Sequence, residues 1–304
     1  MKLGLIGLGR MGNAIAQRVI DAGHQVIGFD QSSLSCAQAE KLGVTIVGST
    51  EEVAQKARIM WLMVPAGEVV DSVLALMRPH LQKNDIIIDG GNSNFKDTIR
   101  RAKELEQHGI YFLDCGTSGG IHGRESGFSL MVGGDEASYI KIHSLLEAIA
   151  APGGVGLVGP SGAGHYVKMV HNGIEYGLLQ AYAEGFHLIK EGSFKKYNPD
   201  LEQISRIWSN GAVIRSWILD LAHTIFEQDQ EFHTISGQIG QNGTGKWCVE
   251  NADENKIPVP AMQAALKVRT QSEQTDGNYA TKIVALLRHA FGGHPLGNKK
   301  QTKQ

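Results

Sequence analysis

Lys168, His171, Asn172, Glu175 and Tyr176 stand at i, i+3, i+4, i+7 and i+8 within a thirteen-residue segment, 167–179. At 3.6 residues per turn these positions fall on one helical face, and the rest of the segment is apolar or glycine. A polar stripe on a helix is most often a solvated surface. This one lacks the additional charges of an exposed helix, and it joins a base, an acid and an amide, the groups that general acid–base chemistry needs. The twelve histidines show no metal-ligand spacing. Cys36, Cys115 and Cys248 are far apart and form no C-x-x-C pair, so neither a metal centre nor a disulfide framework is expected, and a reducing compartment fits best.

Two further stretches, Asp89-Gly90-Gly91-Asn92-Ser93 and Gly116-Thr117-Ser118-Gly119-Gly120, each follow an apolar run. Loops at the carboxyl ends of strands are where open α/β sheets bind ligands, although either could be an ordinary glycine turn. A third loop is more specific. Gly7-Leu8-Gly9-Arg10-Met11-Gly12 is a G-x-G-x-x-G that follows one predicted strand and opens the helix 10–22. Gly7 permits the tight turn, Gly9 lets the backbone approach a pyrophosphate, and Gly12 allows close helix–strand packing. The helix start offers N–H groups and a favourable dipole to the phosphates. The second predicted strand ends at Asp30, whose carboxylate can accept from ribose hydroxyls and would repel a 2′-phosphate. NAD is therefore the expected cofactor, with NADP possible. The cofactor set is taken to include Val64 and Pro65, at and just after the end of the strand 59–64, and Asn92.

The elements that must position these groups follow from periodicity. Apolar runs at 3–6, 25–29, 59–64, 86–89 and 111–114 alternate with amphipathic stretches, which implies βαβ units and a Rossmann-type, doubly wound parallel sheet. From about Ser161 the pattern is helical throughout. The turn-rich stretch 152–160 reads as the boundary, giving a dinucleotide-binding domain over 1–160, an all-α domain over 161–297 and a flexible polar tail over 298–304. With 304 residues, 42% hydrophobic and 20% charged, and a net charge of −2, nothing favours nucleic acid or an anionic membrane as partner, so an anionic substrate must be met by local basic residues. The apolar run after Met1-Lys2 is too short for a signal segment or a membrane span, and a cytoplasmic protein is expected.

Taken together, the sequence resembles the decarboxylating 6-phosphogluconate dehydrogenases. The resemblance rests on the glycine loop at 7–12, Asp89–Ser93, Ser118-Gly119-Gly120, the segment Lys168–Tyr176, Gly243-Thr244-Gly245-Lys246-Trp247 and Arg288-His289-Ala290-Phe291-Gly292-Gly293-His294. It implies that Lys168 is a general base and then acid at a C3 hydroxyl, and that Glu175 protonates C1 of an enediol. It further implies that Asn92, Ser118, Gly119, Gly120, His171 and Asn172 hold carboxylate and hydroxyl groups. Tyr176, Lys246, Arg269 and Arg288 would bind the phosphate, and His294 a hydroxyl. The better-known members are longer, so this chain resembles a short form, and Asp30-Gln31-Ser32 stands where NADP-using members tend to carry Asn-Arg-Thr.

For Lys168 to act as a base, its pKa must fall from about 10.4 toward roughly 7–8, worth roughly 4 kcal/mol, through burial and the oxidised nicotinamide nearby. A protonated Lys168 then polarises the new carbonyl, so decarboxylation needs no metal. In the family resembled, the arginine and histidine of the tail reach the neighbouring subunit's site, which leads to the expectation of a homodimer or dimer of dimers with shared active sites. Two other readings remain at this point: a β-hydroxyacid dehydrogenase of the 3-hydroxyisobutyrate type, without decarboxylation, and a nucleotide-sensing scaffold without chemistry.

Overall fold

The structure is a computed structural model that describes residues 1–240 and 243–297. The tail expected at 298–304 lies outside the described residues. In chain order the elements are β1 Lys2–Ile6, α1 Arg10–Asp21, β2 Gln25–Phe29, α2 Ser33–Lys41, β3 Thr45–Ile46, α3 Thr50–Lys56, β4 Ile59–Leu62, α4 Glu68–Met77, β5 Ile86–Asp89, α5 Phe95–Glu106, β6 Tyr111–Ser118, α6 Gly123–Ser126, β7 Phe128–Gly133, α7 Glu136–Ile149 and β8 Ala150–Gly159. Then follow α8 Ala163–Glu191, α9 Leu201–Ser209, α10 Trp217–Gln228, α11 Thr244–Glu254, α12 Pro260–Ser272 and α13 Tyr279–Gly292. The chain divides into two compact units, Met1–Met169 and Val170 onward, with the division inside α8.

In the first unit the eight strands form one sheet in the order β3-β2-β1-β4-β5-β6-β7-β8. All neighbours are parallel except β6 and β7. The central strands are apolar through most of their length because both faces are covered, with Lys2 at the start of β1 and Asp89 at the end of β5 as exceptions. Leu3 and Leu5 of β1, Trp61 of β4 and Ile86 and Ile88 of β5 enter the core on one face. Their neighbours Ile6, Met60, Leu62 and Ile87 enter the core on the other. Strand order reverses between β1 and β4, and such a switch point opens a crevice at the carboxyl ends of the strands.

Two features depart from the sequence expectation. The stretch read as turn-rich, 152–160, belongs mostly to the edge strand β8, where glycine and proline are tolerated because one side needs no ladder partner. The sheet also gains β7, whose antiparallel pairing with β6 is built through a hairpin around the short α6.

The second unit is helical among the described residues. Its core is built from Leu179, Tyr182, Ala183 and Phe186 of α8, Leu219, Ala222 and Phe226 of α10, and Ala280, Ile283, Val284 and Leu287 of α13. Phe186 meets Phe226 edge-on at 4.7 Å between ring centroids. No helix among the described residues is long and apolar enough to cross a membrane.

Candidate active site

The glycine loop between β1 and α1 has the shape a dinucleotide requires. Gly7 takes φ 96°, and a Cβ there would lie 2.2 Å from the Met63 carbonyl oxygen. A Cβ on Gly12 would lie 2.0 Å from the carbonyl oxygen of Gly7, so both positions are closed to side chains by backbone. Gly9 differs: a Cβ there would meet nothing within 4 Å, so the first turn of α1 is open to an approaching group. α1 starts at Gly9 with no side-chain cap, leaving the positive end of the helix dipole for an anion. These features fit a pyrophosphate. Arg10 is exposed, Met11 half-buried and Leu8 buried.

Asp30 is fixed by the same loop. The Leu8 N–H donates to its Oδ2 at 2.6 Å and the Ser32 N–H to its Oδ1 at 2.7 Å. Each carboxylate oxygen keeps acceptor capacity for a ribose hydroxyl. Val64 is half-buried and Pro65 exposed just beyond β4. A Cβ on Gly91 would stand 3.0 Å from the Val64 carbonyl oxygen, so the Asp89–Ser93 loop crosses the end of β4 and leaves Asn92 exposed above it.

Lys168 lies at the start of α8 and is 8% exposed. It is brought down onto β6 by the absence of a side chain at Gly116, where a Cβ would be 2.5 Å from the Lys168 Cβ and 2.7 Å from the Gly164 carbonyl oxygen. Ser118 ends that strand, and Gly119 and Gly120 follow with φ 135° and 57°, conformations that favour glycine.

Within the second unit the polar stripe continues along α8 and is largely not solvated. Asn172 is 6% exposed and Tyr176 4%, while His171 is exposed and Glu175 half-buried. Asn172 Nδ2 donates to Thr244 Oγ1 at 3.0 Å, and Asn172 Oδ1 lies 3.2 Å from His171 Nδ1. Gly245 passes over Tyr176, where a Cβ would be 2.3 Å from the ring.

Two arginines complete the group. Arg269 of α12 is 1% exposed, and its guanidinium carbon stands 3.2 Å from the centroid of the Tyr176 ring. Arg288 of α13 is 7% exposed. Burial pulls Arg269 down to about 10; Tyr176 opposes the fall, the Arg288 charge adds to it, and Glu175 opposes it. Burial likewise lowers Arg288, against Tyr176 and Glu175. Neither arginine has a salt-bridge partner among the described residues, and Arg269 Nη2 is buried with no hydrogen-bond partner. A guanidinium buried without a salt bridge, with Tyr176 and Glu175 only partly offsetting its burial, costs on the order of a lost charged hydrogen bond, and a bidentate oxyanion removes that cost.

Lys246 is not gathered with this pair: its side chain is 62% exposed and its ammonium lies 3.6 Å from Glu250. His294 folds back over the end of α13, with its carbonyl oxygen 2.8 Å from His289 Nδ1 and its ring against Gly292. Leu287 and Val284 share one core with Leu179 and Tyr182, and this packing carries Arg288 into electrostatic reach of Tyr176 and Glu175 of its own chain.

Sequence reasoning passed over Asp114, His165 and Thr98, all buried near the start of α8. It also missed Glu202, His223 and Glu227, which α9 and α10 bring together with one ligand atom each within 4.8 Å of the others. An acid directly after the apolar run Tyr111–Leu113 was the available signal for Asp114; ligands drawn from two helices have no linear spacing to find.

An uncapped glycine turn at the switch point of a doubly wound sheet, with an acid fixed at the end of β2, defines a dinucleotide-binding dehydrogenase. The chain belongs to the 6-phosphogluconate dehydrogenase family: residues 2–173 match the model of its NAD-binding domain and residues 164–302 that of its C-terminal domain. It is 44% identical to an NAD(+)-dependent, decarboxylating 6-phosphogluconate dehydrogenase of Haloferax volcanii, over 98% of this chain and 99% of that one. Among solved structures it is similar to the 6-phosphogluconate dehydrogenase of Plasmodium falciparum, at 31% identity and TM-score 0.80, covering 90% of this chain and 62% of that longer one. The 3-hydroxyisobutyrate dehydrogenase of Mycobacterium tuberculosis shares the fold, at 22% identity and TM-score 0.76 over 94% of this chain and 99% of that one.

Proposed function

We propose that the chain oxidises 6-phosphogluconate with NAD and releases carbon dioxide and ribulose 5-phosphate. The observation that carries this reading is the buried Arg269, with an unpartnered Nη2, a lowered pKa and Arg288 beside it. A phosphate supplies the oxygens these guanidinium groups lack, whereas a small unphosphorylated hydroxyacid leaves them unsatisfied.

NAD, when bound, accepts the hydride from C3. Asp30 holds the adenosine ribose hydroxyls, and the start of α1, with Val64, Pro65 and Asn92 close by, takes the rest of the dinucleotide. Lys168 Nζ removes the C3 hydroxyl proton. Its burial keeps bulk water from competing for that proton. The resulting β-keto acid loses C1 as carbon dioxide when the C1–C2 bond breaks, and the electron pair moves through C2 toward the C3 oxygen, which Lys168 protonates. Glu175, about 10 Å further along the same helix, donates a proton to the carbon that becomes C1 of the product, while Lys168, neutral again, takes back the proton of the C3 oxygen so that the enediol closes to the ketone. Asn92, Ser118, Gly119, Gly120, His171 and Asn172 hold the carboxylate and hydroxyls. Tyr176, Arg269 and Arg288 hold the phosphate, joined by Lys246 if it leaves Glu250, and His294 closes over a hydroxyl.

The working form is a homodimer. Ile174, Leu178 and Leu188 of α8 are 57%, 38% and 73% exposed on one helical face, a stripe that association would cover. The test of the activity is the ratio of kcat/KM for 6-phosphogluconate over gluconate with NAD. A large preference for the phosphorylated acid supports the reading; equal use of both, or better use of 3-hydroxyisobutyrate, rejects it.

A further inference from the structure

The least expected buried groups in the first unit are two carboxylates side by side. β5 and β6 pair in parallel with Asp89 directly opposite Asp114, and both are 0% exposed. Asp89 closes β5 whereas Asp114 lies mid-strand in β6, and each is satisfied differently. Asp89 turns into its own loop, accepting the Gly91 N–H at 3.1 Å and the Ser93 hydroxyl at 2.7 Å, with Arg101 Nη1 4.0 Å away. Asp114 has no salt-bridge partner among the described residues and reaches across to the start of α8. It accepts the Gly162 N–H at 2.6 Å and the His165 N–H at 2.8 Å.

This is an N-cap supplied by a strand rather than by the residue before the helix. A capping carboxylate is favoured there by the helix dipole, which offsets the cost of burying its charge. The cap spans 48 and 51 residues of sequence, so it fixes where the helix lies on the sheet as well as stabilising its first turn.

His165 adds a second tie from the same turn. Its Nε2 is 3.1 Å from the Asp89 carbonyl oxygen and its Nδ1 2.7 Å from the Thr98 hydroxyl of α5. A carbonyl can only accept, so Nε2 donates to Asp89, while Nδ1 shares a bond with the Thr98 hydroxyl, which also lies 3.2 Å from the Asn94 carbonyl oxygen. The carbonyl in question immediately precedes Gly90-Gly91-Asn92. Lys168 is one turn beyond His165, and at Gly116 of β6 the helix comes so close that a Cβ there would be 2.5 Å from the Lys168 Cβ.

We infer that Asp114 is a positioning residue for Lys168, and that His165 with Thr98 keys the Asn92 loop to the same helical turn. The inference rests on the proposed role of Lys168 as the base at C3. An oxygen-to-amide change at Asp114 leaves one acceptor for two N–H donors and turns an NH₂ toward the other. The first turn of α8 must then shift, and a displacement of about 1 Å at a reacting group costs about 10²-fold in rate.

The test compares Asp114→Asn and the milder Thr98→Val with the wild type. The readouts are kcat, KM, NAD affinity by fluorescence titration, and the isotope effect from 6-phosphogluconate deuterated at C3. Hydrogen exchange over residues 162–170 reads the tether without any turnover. The expected result for Asp114→Asn is a kcat lower by about 10- to 100-fold, a larger isotope effect because hydride transfer has become slower, and NAD affinity unchanged. Thr98→Val should move kcat and the isotope effect the same way by less. If Asp114→Asn does not fold, Thr98→Val decides alone. Unchanged exchange at the start of α8, or an unchanged isotope effect in the folded variants, overturns the inference. A wild type that does not turn over 6-phosphogluconate rejects the activity reading instead, and faster exchange in the variants would still support the tether.

Discussion

Replacing Arg269 with methionine, a side chain of similar length with no charge, should separate stability from substrate recognition. The fall of the guanidinium pKa from 12.5 to about 10 amounts to about 3 kcal/mol at about 1.4 kcal/mol per unit. A base held below its unfolded pKa destabilises the fold wherever it is protonated. Arg269 therefore weighs against the ligand-free protein at every pH below about 10, and the penalty fades only as pH rises beyond that. Methionine removes this penalty and forfeits the stacking on Tyr176, worth about 1–2 kcal/mol. Ligand-free stability should stay level or rise by about 1–2 kcal/mol, measured by denaturant unfolding at neutral pH. Binding should suffer instead. Two charge-assisted hydrogen bonds to a phosphate, at about 1.5–3 kcal/mol each, correspond to a loss of about 10²- to 10⁴-fold in kcat/KM for 6-phosphogluconate. The value for gluconate should barely change. A variant that unfolds far more easily while keeping its preference for the phosphorylated acid would refute the reasoning, because Arg269 would then be a structural pillar.

Lys168→Met should lower kcat by roughly a thousandfold while NAD still binds, since a positioned base contributes about 10²–10⁴-fold; Glu175→Gln should slow product protonation more than hydride transfer, seen as NADH formed ahead of ribulose 5-phosphate. The pair Asp30→Asn and Gln31→Arg should move the ratio of catalytic efficiencies toward NADP, and because Asp30 also anchors the Leu8 and Ser32 N–H groups, activity with NAD should fall further than activity with NADP rises; a wild type that already prefers NADP strongly contradicts this. Mixing inactive Lys168→Met with inactive Arg288→Ala should restore no activity after proven subunit exchange, since Arg288 sits with Tyr176 of its own chain; restored activity would show that the site is shared.

Much of the first unit was legible because its rules are local. β1, β2 and β5 are short apolar runs bounded by turn residues, Gly7 and Gly12 each answer to a backbone distance, and Gly9 leaves the helix start open. β8 was not legible, since its glycines and Pro152 are the residues of a turn, and only pairing with β7 makes them a strand. In the site, the stripe on α8 could be read from spacing, but its burial could not: Asn172 and Tyr176 are covered by Thr244 and Gly245, about seventy residues away. Arg269 and Arg288 came only through family resemblance, because their neighbours give no linear pattern and their packing against Tyr176 is tertiary. Lys246 came by the same route, and its ammonium instead faces Glu250. Asp114 and His165 needed the register of β5 against β6 before either had a meaning.

The most direct test of the proposed activity follows NADH and carbon dioxide together in one reaction of purified protein, 6-phosphogluconate and NAD, with a chelator present. The account predicts equimolar formation of both at a rate the chelator leaves unchanged. NADH without carbon dioxide would reduce the protein to a simple hydroxyacid dehydrogenase, and loss of turnover with the chelator would contradict the role given to Lys168.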